Sequence, residues 1–159
     1  MIARKATAED AKGIANVLRA SYNISDEQEG LSVFESEAGK GHHYLVAEED
    51  GKIVGIVTWV PHGLPKHMLA ELDRIAVLPE FKGKGVAEKL KDALIEDCRN
   101  WFRERGSRLR KLYLLTHEDN ARARKFYEKM GFAHETTLKD HYYAGKKECV
   151  YSMFFGGKG

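Results

Sequence analysis

The stretch Phe81-Lys82-Gly83-Lys84-Gly85-Val86-Ala87 stands between a β-branched and apolar run, residues 70–78, and a segment whose apolar residues recur at helical spacing. Two glycines flank a lysine where a strand hands over to a helix. Glycine enters backbone conformations closed to other residues and lets a ligand approach the main chain. The first turn of a helix offers N–H groups without partners, with the positive end of the helix dipole behind them. The stretch therefore predicts an anion-binding turn at a helix N-terminus. Two phosphate loops do not fit it: a dinucleotide fold needs a third glycine where Glu88 stands, and a P-loop needs Gly-Lys followed by Ser or Thr. On the glycines alone, a plain turn between two elements is the alternative.

Downstream, Val86, Leu90, Ala93, Leu94, Cys98, Trp101 and Phe102 draw one apolar helical stripe that ends at Gly106. Leu109 to Thr116 reads as a strand, and Ala123, Phe126, Tyr127 and Met130 as a short helix closed by Gly131. Phe132 to Leu138 and Cys149 to Phe155 read as a terminal strand pair. Upstream, Tyr44 to Ala47 and Ile53 to Val60 flank Glu49-Asp50-Gly51-Lys52, whose Asp-Gly pair signals a hairpin turn. Residues 27–39 read as a polar helix. Thr7-Ala8-Glu9-Asp10 reads as the cap of a first helix over 8–21, with Ile14, Val17, Leu18 and Ser21 at helical spacing. The order, two helices, three strands, a helix, a strand, a helix and two strands, predicts a mixed sheet with helices on its faces.

At 159 residues, 43% hydrophobic and 31% charged, the chain suits one core, and a single domain over 1–159 is expected. Lys and Arg total 26 against 24 Asp and Glu, so no global field marks a nucleic-acid binder. The basic stretch Arg103, Arg105, Arg108, Arg110, Lys111 lacks interleaved stacking aromatics, and no nucleic-acid partner is expected. The N-terminal MIARKATAED has no apolar signal region and the apolar runs are short, so the expectation is a cytoplasmic protein with no membrane partner. Cys98 and Cys149 have neither metal nor redox spacing and are expected to be buried apolar residues, with no metal site. Four Asn and one Gln beside many Lys and Glu lean toward a thermophilic source.

The opening stretch resembles the signature of the GCN5-related N-acetyltransferases, Arg/Gln-x-x-Gly-x-Gly/Ala, with Lys82 in place of Arg or Gln, then Gly85 and Ala87 in step. A second family feature, Asn-x-x-Ala-x-x-Phe-Tyr-x-x-x-Gly-Phe, is matched by Asn120, Ala123, Phe126, Tyr127, Gly131 and Phe132. The resemblance covers residues 2–155 and implies an α/β (α+β) acyl-CoA N-acyltransferase fold. That is a mixed, mostly antiparallel central sheet of about six to seven strands flanked by about four helices. It implies acetyl-CoA as cofactor, with coenzyme A as product. The pyrophosphate would lie on the backbone of Lys82, Gly83, Lys84, Gly85, Val86 and Ala87, and the pantetheine arm along the main chain of Ile75, Ala76 and Val77. Asn120, Ala123 and Phe126 would face the cofactor. Arg122, Lys125 and Lys84 would fall near its nucleotide end or be solvated charges.

Acetyl transfer to an amine needs a neutral amine, a held oxyanion and a proton for the thiolate. Glu71 and Asp73, spaced by two on a strand, point to one face and are the base candidates, and the pattern does not choose between them. The resemblance assigns the general acid to Tyr127 and the oxyanion to a backbone N–H near Val77. The segment SYNISDEQEGLSVFESEAG carries Asp26, Glu27, Glu29, Glu35 and Glu37, which suits a cationic amine such as a polyamine. The partner is then a small-molecule amine or a protein amino group, and the oligomeric state is open, a homodimer included. The tail around Tyr142-Tyr143 looks like that of N-terminal protein acetyltransferases, although Leu115 stands where the ribosomal-protein enzymes carry a catalytic glutamate. An N-terminal or lysine protein acetyltransferase is the alternative function, and a non-catalytic acyl-CoA-binding module a further one.

Overall fold

The computed structural model describes residues 1–156. The elements run β1 (Ile2–Lys5), α1 (Ala11–Ser21), α2 (Glu27–Gly39), β2 (His43–Glu49), β3 (Lys52–His62), β4 (Leu69–Val77), α3 (Val86–Glu104), β5 (Lys111–His117), α4 (Ala121–Lys129), β6 (Ala133–Lys139) and β7 (Lys147–Phe154). They form a seven-stranded sheet in the order β1-β2-β3-β4-β5-β7-β6. The ladder between β4 and β5 is parallel, and the ladders β1–β2, β2–β3, β5–β7 and β6–β7 are antiparallel. Every helix and strand expected from the sequence is present, within a few residues at the ends. The strand β1 was not expected: four residues, two of them basic, carry no pattern, and the pairing with β2 (Ile2 opposite Glu48) supplies what the local sequence lacks. The chain divides into two compact units, Met1–Val60 with Asp73–Asn100, and Pro61–Leu72 with Trp101–Gly159.

In the first unit, Ile14, Val17 and Leu18 of α1 pack with Phe34 of α2 and with Tyr44, Val46, Ile53 and Ile56 of the β2–β3 hairpin. The hairpin turn has Asp50 at φ 50° and Gly51 at φ 79°, the left-handed pair that the Asp-Gly sequence announces. The start of α1 is a short 3₁₀ turn, Ala8–Asp10, where Asp10 Oδ2 accepts from the Thr7 N–H at 2.8 Å. Arg4 grips the same carboxylate with two bonds of 2.8 and 2.9 Å, so β1 and the helix entry share one ion pair. Gly55 allows a close approach: a Cβ there would stand 3.1 Å from Ala76 O and 3.0 Å from Leu90 Cδ1, so its absence lets α3 settle on the sheet. Buried Trp59 donates from Nε1 to Asp97 Oδ2 at 3.0 Å, and Cys98 is a free buried thiol whose pKa burial pushes up.

In the second unit, β7 lies between β5 and β6, with Leu112, Leu114, Cys149 and Tyr151 buried. The register alternates side chains cleanly. Leu112, Leu114 and Thr116 stand opposite Met153, Tyr151 and Cys149, while Tyr113, Leu115 and His117 stand opposite Ser152, Val150 and Glu148 on the other face. The helix α4 opens on Asn120, whose side chain accepts from the Ala123 N–H at 3.0 Å, and closes at Gly131, φ 101°.

Candidate active site

The turn expected to bind an anion lies wholly in the first unit. After β4 the chain turns through Pro79–Phe81 and then through Lys82 to Gly85 before α3 begins at Val86. Gly83 and Gly85 have φ of 78° and 79°, so the glycines are there for backbone conformation. A Cβ on either would meet nothing within 4 Å, so the main chain faces open space. The first helical bond runs from Lys89 N to Gly85 O at 3.1 Å, which leaves the Val86 and Ala87 amides in the first turn without intrahelical acceptors. The Lys82 N–H instead points back to Pro79 O at 3.3 Å, narrowing the open backbone to residues 83–87. Lys82 and Lys84 are exposed, and Lys84 Nζ lies 5.3 Å from the centre of the Phe81 ring. Ile75, Ala76 and Val77 form the end of β4, with Ala76 and Val77 buried.

The two candidate bases have different surroundings. Glu71, in the second unit, has Oε1 at 2.7 Å from His62 Nε2 and accepts from the Tyr113 hydroxyl at 3.4 Å. The parallel ladder pairs Glu71 with Tyr113 directly, which is why the phenol meets the carboxylate. Burial and the neighbouring Glu71 charge push the Tyr113 phenol up, so it stays protonated and donates. Asp73, in the first unit, has Oδ2 at 3.5 Å from His42 Nδ1. Nearby, Glu37 is held by Arg74 at 3.0 Å and accepts from the Tyr44 hydroxyl. Glu37, His42 and Asp73 bring donor atoms within 4.8 Å of one another, but with Glu37 already held by Arg74 and Tyr44 this is a poor metal set.

On α4, Tyr127 is half-buried, with its ring centre 5.3 Å from Phe126, 6.1 Å from Phe132 and 6.5 Å from Tyr151. Asn120 serves as the helix cap, so its side-chain oxygen already has a structural partner. Ala123 and Phe126 are partly buried, whereas Arg122 and Lys125 are exposed.

Three residues of the acidic segment have local work: Asp26 caps α2 by accepting from Glu29 N, Glu29 holds Ser25, and Glu37 is neutralised by Arg74. The basic stretch is likewise tied down. Arg105 lies 3.8 Å from the Trp101 ring centre, Arg108 donates to Phe155 O, Arg110 donates to His67 O, and Lys111 pairs with Glu135 at 2.7 Å. Sequence reading missed His62, Tyr113, His117 and Glu148. A histidine nine residues before a candidate base, across a strand connection, was the only signal available for His62.

Residues 11–132 match the acetyltransferase (GNAT) family. The chain belongs to that family. It is 30% identical over 144 residues to the uncharacterized N-acetyltransferase YjgM of Escherichia coli K12, spanning 84% of this chain and 82% of that one. A GNAT-family acetyltransferase from Desulfovibrio desulfuricans superposes with a TM-score of 0.78 at 25% identity, covering 96% of this chain and 98% of the other. An aminoglycoside 6′-N-acetyltransferase complexed with coenzyme A superposes with a TM-score of 0.80 at 14% identity, covering 100% and 99%. The seven-stranded sheet with its four helices is the GNAT fold, and this GNAT chain is an N-acetyltransferase. The reading as a non-catalytic binding module is set aside. Among the described residues, no helix is long and apolar enough to cross a membrane.

Proposed function

We propose that this GNAT chain transfers the acetyl group of acetyl-CoA to a primary amine by direct attack in a ternary complex, in the cytosol and without a metal. The acceptor is a cationic small molecule. The observation that carries the reading is the cradle: two left-handed glycines facing open space, two exposed lysines, and the open end of the 19-residue helix α3. Coenzyme A fits that set of donors, because its pyrophosphate needs N–H groups and positive charge, and the pantetheine amides need strand backbone such as residues 75–77.

In the reaction the amine nitrogen attacks the thioester carbonyl, a C–N bond forms, and the C–S bond breaks. Glu71 takes the amine proton, and its contacts with His62 and Tyr113 favour it over Asp73. The oxyanion rests on a backbone N–H near Val77, and the Tyr127 hydroxyl gives its proton to the leaving thiolate. A second reading, with a protein amino group as acceptor, is favoured by the exposed pair Tyr142 and Tyr143, 60% and 63% accessible. The test is a panel of amines, polyamines and peptides with acetyl-CoA, reading thiol release and product mass, on the parent and on Tyr127→Phe. We expect turnover with small cationic amines, and a fall of roughly a hundredfold or more in the variant with cofactor affinity kept. Turnover with peptides alone moves the acceptor to protein, and parent-like turnover in the variant removes Tyr127 from the acid role.

A further inference from the structure

We propose that a cavity on the second unit, floored by Glu148, binds a second ammonium group of the acceptor, so that the preferred acceptor is a linear diamine or polyamine. This deepens the acetyl-transfer reading above and rests on it. The cavity has a volume of about 410 Å³ and is lined by Leu115, Thr116, His117, Tyr142, Tyr143 and Glu148. That volume lies within the usual range of small-molecule sites, roughly 300–1,000 Å³.

Glu148 is only 1% accessible, and its Oε2 has no hydrogen-bond partner among the described residues. His117 Nδ1 stands 2.5 Å from Oε1 and occupies that oxygen. A buried carboxylate oxygen without a donor is costly, and a cation that enters the cavity and donates to Oε2 removes that cost. The rim suits a cation as well, because Tyr142 and Tyr143 present exposed aromatic rings and the Tyr143 ring centre lies 6.2 Å from that of His117.

The register along β5 gives the acceptor its shape. Tyr113, Leu115 and His117 share one face with Ser152, Val150 and Glu148. At one end Tyr113 bonds to Glu71, the proposed base, and at the other His117 stands against Glu148. Tyr113 and His117 are four residues apart, on the order of 13 Å at strand rise. Between them Leu115, paired with Val150 and lining the cavity, supplies an apolar track. Charge, apolar track and charge in a row match two ammonium groups joined by methylenes: one end loses its proton at Glu71 and is acetylated, while the other stays charged on Glu148.

The test compares 1,8-diaminooctane with octylamine, using acetyl-CoA and either the parent or Glu148→Gln. We expect the parent to prefer the diamine in kcat/KM by about tenfold or more, and the glutamine variant to lose that preference, chiefly through a higher KM. Calorimetric titration of the diamine on both proteins reads the site without turnover, with binding about tenfold weaker in the variant. Should Glu148→Gln fail to fold, Tyr143→Leu at the exposed rim takes its place and should weaken the diamine several-fold. A parent that treats the two amines alike, or a folded variant that keeps the preference and the affinity, overturns the proposal. Glu148-dependent diamine binding without turnover on any amine retains the site and sinks the acetyl-transfer reading instead.

Discussion

Glu71 Oε1 is approached by His62 and by Tyr113, and on that arrangement we propose Glu71 over Asp73 as the base. A base that can hand its proton onward through a neighbour is better placed than Asp73, whose histidine lies 3.5 Å away. Glu71→Gln is expected to lower turnover at neutral pH by roughly a hundredfold. Part of the loss should return as pH rises, because an alkylamine with a pKa of about 10.4 then supplies more neutral nucleophile by itself. Asp73→Asn should leave the pH–rate profile close to the parent's. A profile that shifts only in the Asp73 variant moves the base to Asp73. The carboxylates themselves were legible in the sequence, since a spacing of two on a strand is a local pattern. Their histidine and tyrosine partners were not, because Tyr113 reaches Glu71 across 42 residues of chain through a parallel pairing.

Among the elements, the entry to α3 is where local sequence carries the proposed cofactor cradle. Gly85→Glu puts a side chain at φ 79° and a negative charge in the open space before the helix, while the lack of any atom within 4 Å means that the core is not crowded. The variant should fold and lose acetyl-CoA binding, read by calorimetry beside a melting curve, and parent-like affinity would refute the cradle. The entry to α1 has a different duty. The Arg4 guanidinium, through its two bonds to the carboxylate, holds Asp10 below the ordinary carboxylate range, with the Thr7 N–H assisting. A depressed folded-state pKa contributes stability that is present above the unfolded value, about 3.9, and lost as pH falls through the folded one. Asp10→Asn should therefore cost about 1–2 kcal/mol at pH 7 in denaturant unfolding, with the gap to the parent closing as pH falls below about 4. A gap independent of pH would mean that the ion pair is not what Asp10 contributes. The cap was readable from Thr7 to Asp10, whereas β1 and its Arg4 were not, since a four-residue strand is defined by its partner.

At the scale of the whole molecule, β3, β4 and α3 each begin in one compact unit and end in the other. We propose on that ground that the chain unfolds as one domain: calorimetric and van't Hoff enthalpies should agree in a single transition, and two resolved transitions would show the units to be independent. The sequence by itself determined the class of the fold, the elements that carry period 2 or 3.6, and the glycine turn before α3 that we propose as the pyrophosphate cradle. These are written in neighbouring residues: apolar spacing, an Asp-Gly turn, and glycines at left-handed positions before a helix. Two free buried cysteines also follow from their spacing and setting. Only the tertiary structure decided that Glu37 belongs to Arg74 rather than to an acidic rim, that Glu71 and Asp73 answer to different histidines, and that Glu148 floors a cavity. The reason is physical: whether a charge is solvated, paired or buried depends on which strands lie beside it, and strand pairing joins residues whose separation in the chain carries no periodic trace.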